Sequence, residues 1–418
     1  MRKLVLSGKG IITGVGSLAA LEDLRYERAL IVTGGSSMIR SGVIDRSVAY
    51  LSGNGTKTEV YSGVPKNPSI EDVRKGLAIC RQFKPDLILA IGGGSAMDCA
   101  KAMLLFYEFS YLNFENVLDY NKKGEIPTVR KTGLVCVPST SGTGSEVTRG
   151  TVITDPEKEL KVPIMTDCLR PDLAILDPEI TMTMPQHVAA ETGMDALTHA
   201  IEAYTNHNLD DFDEGLCSGA IVGIMKWLPV SVLENNMEAR EKVHNYQAMA
   251  GIGFANVGLG MVHGIAHSFG AAYNLAHGLT NAIILPYVLR YNSRNEAVRK
   301  KLAELFERDY AEFTDMGIYQ VLIPYRNDVW ISSYCSSLLS KLREYDEEFK
   351  TELYDTVRAY ILHNYDISQV AEMMHMHKNT VRYRINKARE VMGMEEEGSN
   401  FEEQFSFAFQ WQCLQMDE

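Results

Sequence analysis

The sequence predicts an α/β amino-terminal domain on a parallel, Rossmann-like sheet, then an all-α region, then an α-helical helix-turn-helix domain. Three observations carry this. Short β-branched or aliphatic runs (RALIVTGG, TKTEVYSG, DLILAIGGG, GLVCVPST) alternate with amphipathic stretches such as SIEDVRKGLAICRQF, and that alternation gives a parallel sheet covered by helices. ETGMDALTHAIEAY consists of helix formers. Near the carboxy end, Asp366 can cap a helix begun by ISQVAEMM, with Gln369 placed for the reciprocal half of a capping box. A break at HMH follows, and a helix from about Lys378 then puts Val381, Ile385 and Ala388 on one core face. The expected domains are residues 1–180, 181–295 and 296–418, with the helix-turn-helix at about 366–393.

A chain of 418 residues is long enough for two or three domains with sizeable cores. The formal net charge of −13 excludes a surface that is basic all over, so any nucleic-acid contact must come from a local patch. MRKLVLSGKG lacks an apolar h-region, and AIVGIMKWLPVSVL is broken by Lys226 and Pro229, so neither secretion nor membrane spanning is expected. The seven cysteines are scattered without a CxxC pair, and Cys99, Cys136 and Cys217 lie in apolar surroundings. A reduced, cytoplasmic protein follows from that pattern.

In parallel sheets of this kind ligands bind at the carboxyl ends of the strands. Gly92, Gly93, Gly94 and Ser95 stand at such an end and open a helix, where backbone N–H groups and the positive helix terminus can meet a pyrophosphate. A tight turn explains a glycine triplet equally well; Asp98 and Lys101 after it make the longer pattern more specific. VTRGTVITDPEKELKVPIM reads as a hairpin around DPEKE with Lys161 on its return arm. Asp195 and His199, four apart in helix-forming sequence, leave one face one turn apart, as a two-ligand clamp requires. His263, His267 and His277 fall within fifteen residues of a Gly- and Ala-rich run. Singly, each histidine has a plain structural reading. Together, one carboxylate and several imidazoles suit Fe²⁺ or Zn²⁺ better than Mg²⁺ or Ca²⁺.

From about Val32 to Asn292, through VTGGSSMIRSG, PKNPS, IGGGSAMDCAKAM, PSTSGTGSEVT, LDPEITMTMP and the two histidine-bearing segments, the chain resembles the iron-containing (group III) alcohol dehydrogenase family. The resemblance implies hydride transfer between NAD(P)(H) and a small alcohol or aldehyde, at a metal that activates the substrate oxygen. It implies Asp195, His199, His263 and His277 as metal ligands, and His267 as a catalytic proton relay or nicotinamide contact. It also implies that Gly92, Gly93, Gly94, Ser95, Asp98, Asn67, Ser139, Thr140, Gly142, Thr143, Lys161 and Thr181 line the dinucleotide, and that the chain self-associates as a homodimer. One position departs from the pattern: NAD-preferring members commonly carry an Asp after the strand that RALIVTGG forms, whereas here Gly34 and Gly35 are followed by Ser36, Ser37 and Arg40. Without that carboxylate nothing repels a 2′-phosphate, so NADP(H) is expected over NAD(H).

After Asn292 the family's helical continuation is not visible in the sequence. From about Phe306 the chain instead resembles the carboxy-terminal part of PucR/CdaR-type regulators, with Ala371, His377, Asn379, Thr380, Tyr383 and Arg384 in the expected order. Lys378, Arg382, Arg384, Lys387 and Arg389 set five positive charges against Glu390 on the second helix, as major-groove docking requires. Lys378, Asn379, Thr380, Arg382, Tyr383, Arg384 and Lys387 are the expected DNA contacts. Two functions compete: a dehydrogenase with an attached DNA-binding regulatory module, and a transcriptional regulator whose degenerate dehydrogenase part senses a cofactor, aldehyde or metal. The intact ligand positions and GGGS loop favour the enzyme, and the missing helices that would close the metal-binding region favour the sensor.

Overall fold

The computed structural model describes residues 5–158, 160–273, 275–306, 329–363, 365–394 and 401–415. The chain divides into two compact units, residues 1–318 and 319–418. In the first, β1 (Gly10–Thr13), β2 (Arg28–Thr33), β3 (Lys57–Tyr61), β4 (Leu87–Gly92), β5 (Gly133–Pro138) and β8 (Leu173–Leu176) form one sheet in the order β1-β8-β5-β4-β2-β3. Every pairing in it is parallel. Four of these strands are the aliphatic runs read from sequence. The outer β1 and the inner β8 are four-residue segments, GIIT and LAIL, too short for their periodicity to stand out. β6 (Gly150–Asp155) and β7 (Leu160–Met165) form the expected antiparallel hairpin.

Side chains alternate across the sheet and feed two cores. Leu30, Val32, Ile88, Ala90, Leu134 and Cys136 pack with α3 (Ile70–Phe83), α4 (Gly94–Glu108) and α5 (Val117–Lys123) on one face. Ala29, Ile31, Leu87, Leu89, Val135 and Val137 pack with α1 (Ser37–Arg40) and α2 (Val43–Gly53) on the other. Strands buried on both faces read as continuous apolar runs, and β4 and β5 are buried at every residue. Lys101 is wholly buried in α4; its Nζ donates to the carbonyls of Ser145, Thr148 and Gly150 at 2.7–3.0 Å, tying the helix to the loop that leads into the hairpin.

After α6 (Pro178–Thr181) the unit becomes helical: α7 (Gln186–Tyr204), α8 (Asp211–Leu233), α9 (Met237–Val257), α10 (Met261–Tyr273), α11 (His277–Asn292) and α12 (Glu296–Phe306). By length and composition α8 is apolar enough to cross a membrane. It packs instead against α7 and α9, burying Cys217, Ala220, Ile221 and Ile224 as a core helix does. The sequence places a boundary at 295/296, but the division falls at 318/319. The reason lies in α12, which docks back: Lys301 pairs with Glu214, its ammonium lies over the Tyr204 ring, and Leu302 is buried. Among the described residues six free cysteines are all buried.

The second unit contains α13 (Val329–Phe349), α14 (Leu353–Leu362), α15 (Ile367–Met373), α16 (Lys378–Met392) and α17 (Phe401–Gln415). Val370, Ala371, Val381, Ile385, Ala388, Phe401 and Phe405 are among its buried residues. The α15–turn–α16 pair is the predicted helix-turn-helix.

Candidate functional sites

In α7 the spacing of four puts Asp195 and His199 on one face, with Nε2 of His199 3.9 Å from Asp195 Oδ1. α10 brings His263 Nε2 to 3.4 Å from the same oxygen, and the first residue of α11, His277, brings its Nε2 to 3.5 Å. Donor atoms of Asp195, His263 and His277 all lie within 4.8 Å of one another; His199 stacks on the His263 ring at 4.4 Å, at the edge of that cluster. α11 can begin this close to α7 because residue 278 is glycine: a Cβ there would stand 2.1 Å from the Glu191 carbonyl oxygen.

Asp195, His199 and His263 are almost fully buried, whereas the His277 side chain keeps 35% of its exposure, so the cluster opens on that side. Burial drives the His199 imidazole down to about 3, favouring its neutral form. Burial opposes charge on His263 too, but hydrogen bonds to Asp195 and Glu202 outweigh it and raise that ring to about 9. Burial also works against ionising Asp195; the imidazoles of His199, His277 and His263 overcome it and hold the carboxyl well below its usual range. His267, one turn after His263, stacks on the His277 ring at 5.0 Å without joining the cluster.

Two residues complete this arrangement that sequence reasoning missed. Glu202 Oε2 accepts the His263 Nδ1–H at 2.6 Å, and its Oε1 accepts the Val262 N–H at 2.6 Å. That bond fixes the tautomer and leaves Nε2 as the lone-pair donor, as a metal-binding histidine requires. Asn281 Nδ2 lies 2.7 Å from Asp195 Oδ1, 3.1 Å from His263 Nε2 and 3.2 Å from His277 Nε2. Glu202 stands seven residues after Asp195 and Asn281 four after His277, but neither spacing reveals the partner on another helix. The donor set fits a borderline divalent cation: one carboxylate oxygen faces imidazole nitrogens, and a second carboxylate orients one of them.

The strand ends supply a second cluster. β4 ends at Gly92, and α4 starts at Gly94 with no side-chain cap, leaving its first N–H groups to a ligand. Asn67, held at φ 54°, donates its N–H to Ser95 Oγ at 3.3 Å. A Cβ on Gly93 would touch Thr140, and one on Gly94 would meet Thr143 at 2.8 Å. Ser139 donates its N–H to Gly92 O, so these three loops converge. Gly34, Gly35 and Ser36 follow β2 at the same end, with Gly34 bridged through its carbonyl to the Gly63 N–H. Gly142 lies against Thr192 of α7; burial lowers the His267 and His277 rings, and the Lys161 charge adds to that lowering. Asp98 and Thr181 have internal partners: Asp98 accepts from Ser145 Oγ and Val152 N–H, and the buried Thr181 hydroxyl donates to Pro178 O.

In the second unit Asp366 caps α15, accepting from the Ser368 and Gln369 N–H groups. No reciprocal bond from Gln369 closes a capping box there, because the Asp366 N–H already donates to His363 O. His375 adopts φ 52° in the HMH turn, and His377 Nδ1 caps α16 by accepting the Asn379 N–H. The basic residues divide. Arg384 bonds to Glu352 at 2.8 Å and to Thr356, Lys387 pairs with Glu390, and Arg389 pairs with Glu402. Lys378, Asn379, Thr380, Arg382 and Tyr383 are exposed.

Comparison with known proteins accords with both units. The family described as iron-containing alcohol dehydrogenase matches residues 4–178, and its carboxy-terminal part matches 189–312. An NADPH-dependent butanol dehydrogenase of Clostridium saccharobutylicum is 43% identical over 292 residues, covering 70% of this chain and 74% of that protein. The chain belongs to the iron-containing alcohol dehydrogenase family. A bifunctional aldehyde-alcohol dehydrogenase of Streptococcus pneumoniae is also 43% identical, over 67% of this chain, which spans 33% of that longer protein. The solved iron-containing alcohol dehydrogenase of Thermococcus thioreducens superposes with a TM-score of 0.69 at 29% identity, covering the whole of both chains. The family match starts before Val32 and ends after Asn292, because the motifs mark ligand-facing loops while the flanks carry only packing patterns. Residues 353–410 match the PucR carboxy-terminal helix-turn-helix domain, an element this alcohol dehydrogenase family member carries in addition.

Proposed function

We propose that this family member is a metal-dependent alcohol dehydrogenase or aldehyde reductase that exchanges hydride between NADP(H) and a small alcohol or aldehyde. Its carboxy-terminal helix-turn-helix adds sequence-specific DNA binding, and the chain acts as a homodimer. The observation that carries the enzymatic reading is the gathering of His263 and His277 nitrogens, with His199 beside them, on one oxygen of a buried carboxylate. The naming of a similar protein as NADPH-dependent supports the cofactor, as does the missing carboxylate at Gly34 and Gly35.

When bound at Asp195, His199, His263 and His277, Fe²⁺ or Zn²⁺ would supply polarisation of the substrate oxygen, and the dinucleotide would supply or accept hydride. The protein's own part can be assigned to residues. Glu202 fixes the His263 ring, and the buried walls around Asp195 and His199 exclude water. The open side at His277 admits substrate, where the stacked and exposed His267 stands in position to pass a proton or contact the nicotinamide. The α4 amino-terminus and the Ser139–Thr143 loop cradle phosphates and ribose.

A purified sample assayed for bound iron and zinc, and for aldehyde-dependent oxidation of NADPH, tests the proposal. Bound metal together with turnover is the expected result. The match of residues 353–410 to a regulator's DNA-binding domain favours one alternative, a transcriptional regulator that senses cofactor, aldehyde or metal. Metal and NADPH binding without turnover of any short-chain aldehyde would establish that alternative.

A further inference from the structure

The polar residues of α16 separate by what they touch. Arg384 reaches the residue preceding α14, Glu352, and Thr356 within that helix. Arg389 reaches Glu402 of α17, and Lys387 closes on Glu390 one turn along. These three cations are engaged within the second unit, so the positive charge legible in the sequence overstates what α16 offers to a partner. On the other side, Asn379, Arg382, Tyr383 and Asn386 are all exposed, and Tyr383 keeps 67% of its surface. Their spacing of i, i+3, i+4, i+7 puts them in one stripe, opposite the buried Val381, Ile385 and Ala388.

An exposed tyrosine between two carboxamides and a guanidinium is unsuited to a merely solvated helix face but matches the chemistry of base edges. Arginine is bidentate to guanine O6 and N7, asparagine is bidentate to adenine N6 and N7, and an aromatic ring packs on the thymine methyl. From Asn379 to Asn386 the helix advances about 10 Å, roughly three base-pair steps at about 3.4 Å each. We propose that Asn379, Arg382, Tyr383 and Asn386 are the base-reading residues of this protein, addressing three to four consecutive base pairs in a major groove. Arg382 takes a guanine and Asn386 an adenine, while Arg384 and Arg389 position the helix and read no base. The inference rests on the DNA-binding reading and narrows it to named side chains, one of which, Asn386, no sequence motif pointed to.

The test is selection from random duplex DNA by the full-length protein, followed by affinities for the selected duplex and for its single-base variants. Arg382→Ala should lose preference at one guanine and Asn386→Ala at one adenine, each by about ten- to a hundredfold in relative affinity, with thermal unfolding unchanged. Arg384→Gln should lower the unfolding temperature and leave the selected motif as it was. If the parent selects a motif that both alanine variants retain in full, or if Arg384→Gln alters base preference without lowering stability, this assignment falls. A parent that enriches no sequence at low salt would overturn the DNA-binding reading itself.

Discussion

Replacing Gly34 by Asp should turn the cofactor preference from NADP(H) to NAD(H). The position tolerates the change: Gly34 is not among the residues with positive φ, and a Cβ there meets only the Val64 carbonyl oxygen, at an ordinary 3.5 Å. It follows directly from β2, where a carboxylate meets the adenosine ribose in the doubly wound fold. A carboxylate about 5 Å from a phosphate charge, at an effective dielectric of about 20, is repelled by about 3 kcal/mol per unit charge. With NADH the same carboxylate gains a charge-assisted hydrogen bond to a ribose hydroxyl, worth about 1.5–3 kcal/mol. The summed shift of about 4–6 kcal/mol corresponds to a change in preference of roughly 10³–10⁴ at 1.4 kcal/mol per tenfold. Titration of nucleotide fluorescence with each cofactor, for parent and variant, measures it. If the parent already binds NADH much more tightly than NADPH, or if the variant leaves the ratio unchanged, the reading of this loop is wrong.

Further outcomes follow from the buried polar groups. Glu202→Gln should weaken metal binding by about 10–100-fold, since loss of a carboxylate orienting a ligand histidine has that effect, and an unchanged affinity in a metal titration would remove its orienting role; His263→Ala should lose most of the bound metal, and full loading of that variant in elemental analysis would remove the proposed ligand set. Acid should also destabilise the protein through His244, whose ring is fully buried, bonded to Ser141 Oγ at 2.9 Å, and driven by burial down to about 3. Its unfolded counterpart takes up a proton near pH 6.5, so the stability it contributes is present above that pH and falls by about 1.4 kcal/mol per unit below it, reaching about 2 kcal/mol at pH 5. Urea unfolding of parent and His244→Gln between pH 7 and 5 reads this as a difference in slope; equal slopes would mean that His244 is protonated without penalty in the fold.

Much of the fold was legible because its signals are local. β2 to β5 announce themselves as doubly buried aliphatic runs, and the hairpin by its turn. Asp366, His377 and the Val381–Ile385–Ala388 row place α15 and α16. What escaped depends on contacts distant in sequence. Whether GIIT is a strand is decided by Leu173–Leu176, more than 150 residues away in the chain. Arg384 reads as a free cation until Glu352 is seen beside it. Glu202 and Asn281 look like ordinary helix residues, because their meaning comes from His263 and Asp195 on other helices.

The same distinction bears on whether the histidine site is complete in a chain whose match to the dehydrogenase family ends at residue 312. The sequence raises the prospect that the histidine site lies unfinished once the family's later helices give way to regulator-like ones. Among the described residues, the partners observed for the proposed ligands belong to the first unit. Phe254 of α9 stacks on His199 at 4.3 Å, Glu202 of α7 holds His263, and Asn281 of α11 joins Asp195 to two imidazoles. α12 then ties back to α8 and α7 through Lys301, pairing with Glu214 and lying over Tyr204. Among the described residues, ligand orientation and the helical packing behind it are therefore supplied before residue 307. The two proposed activities should therefore separate by substitution: changes on the α16 stripe should leave metal content and aldehyde reduction at parental levels, while His263→Ala should lose most of the metal, abolish aldehyde reduction and still recover the parent's DNA motif. Coupled loss of the two activities in either set of variants would show that the units depend on one another for folding.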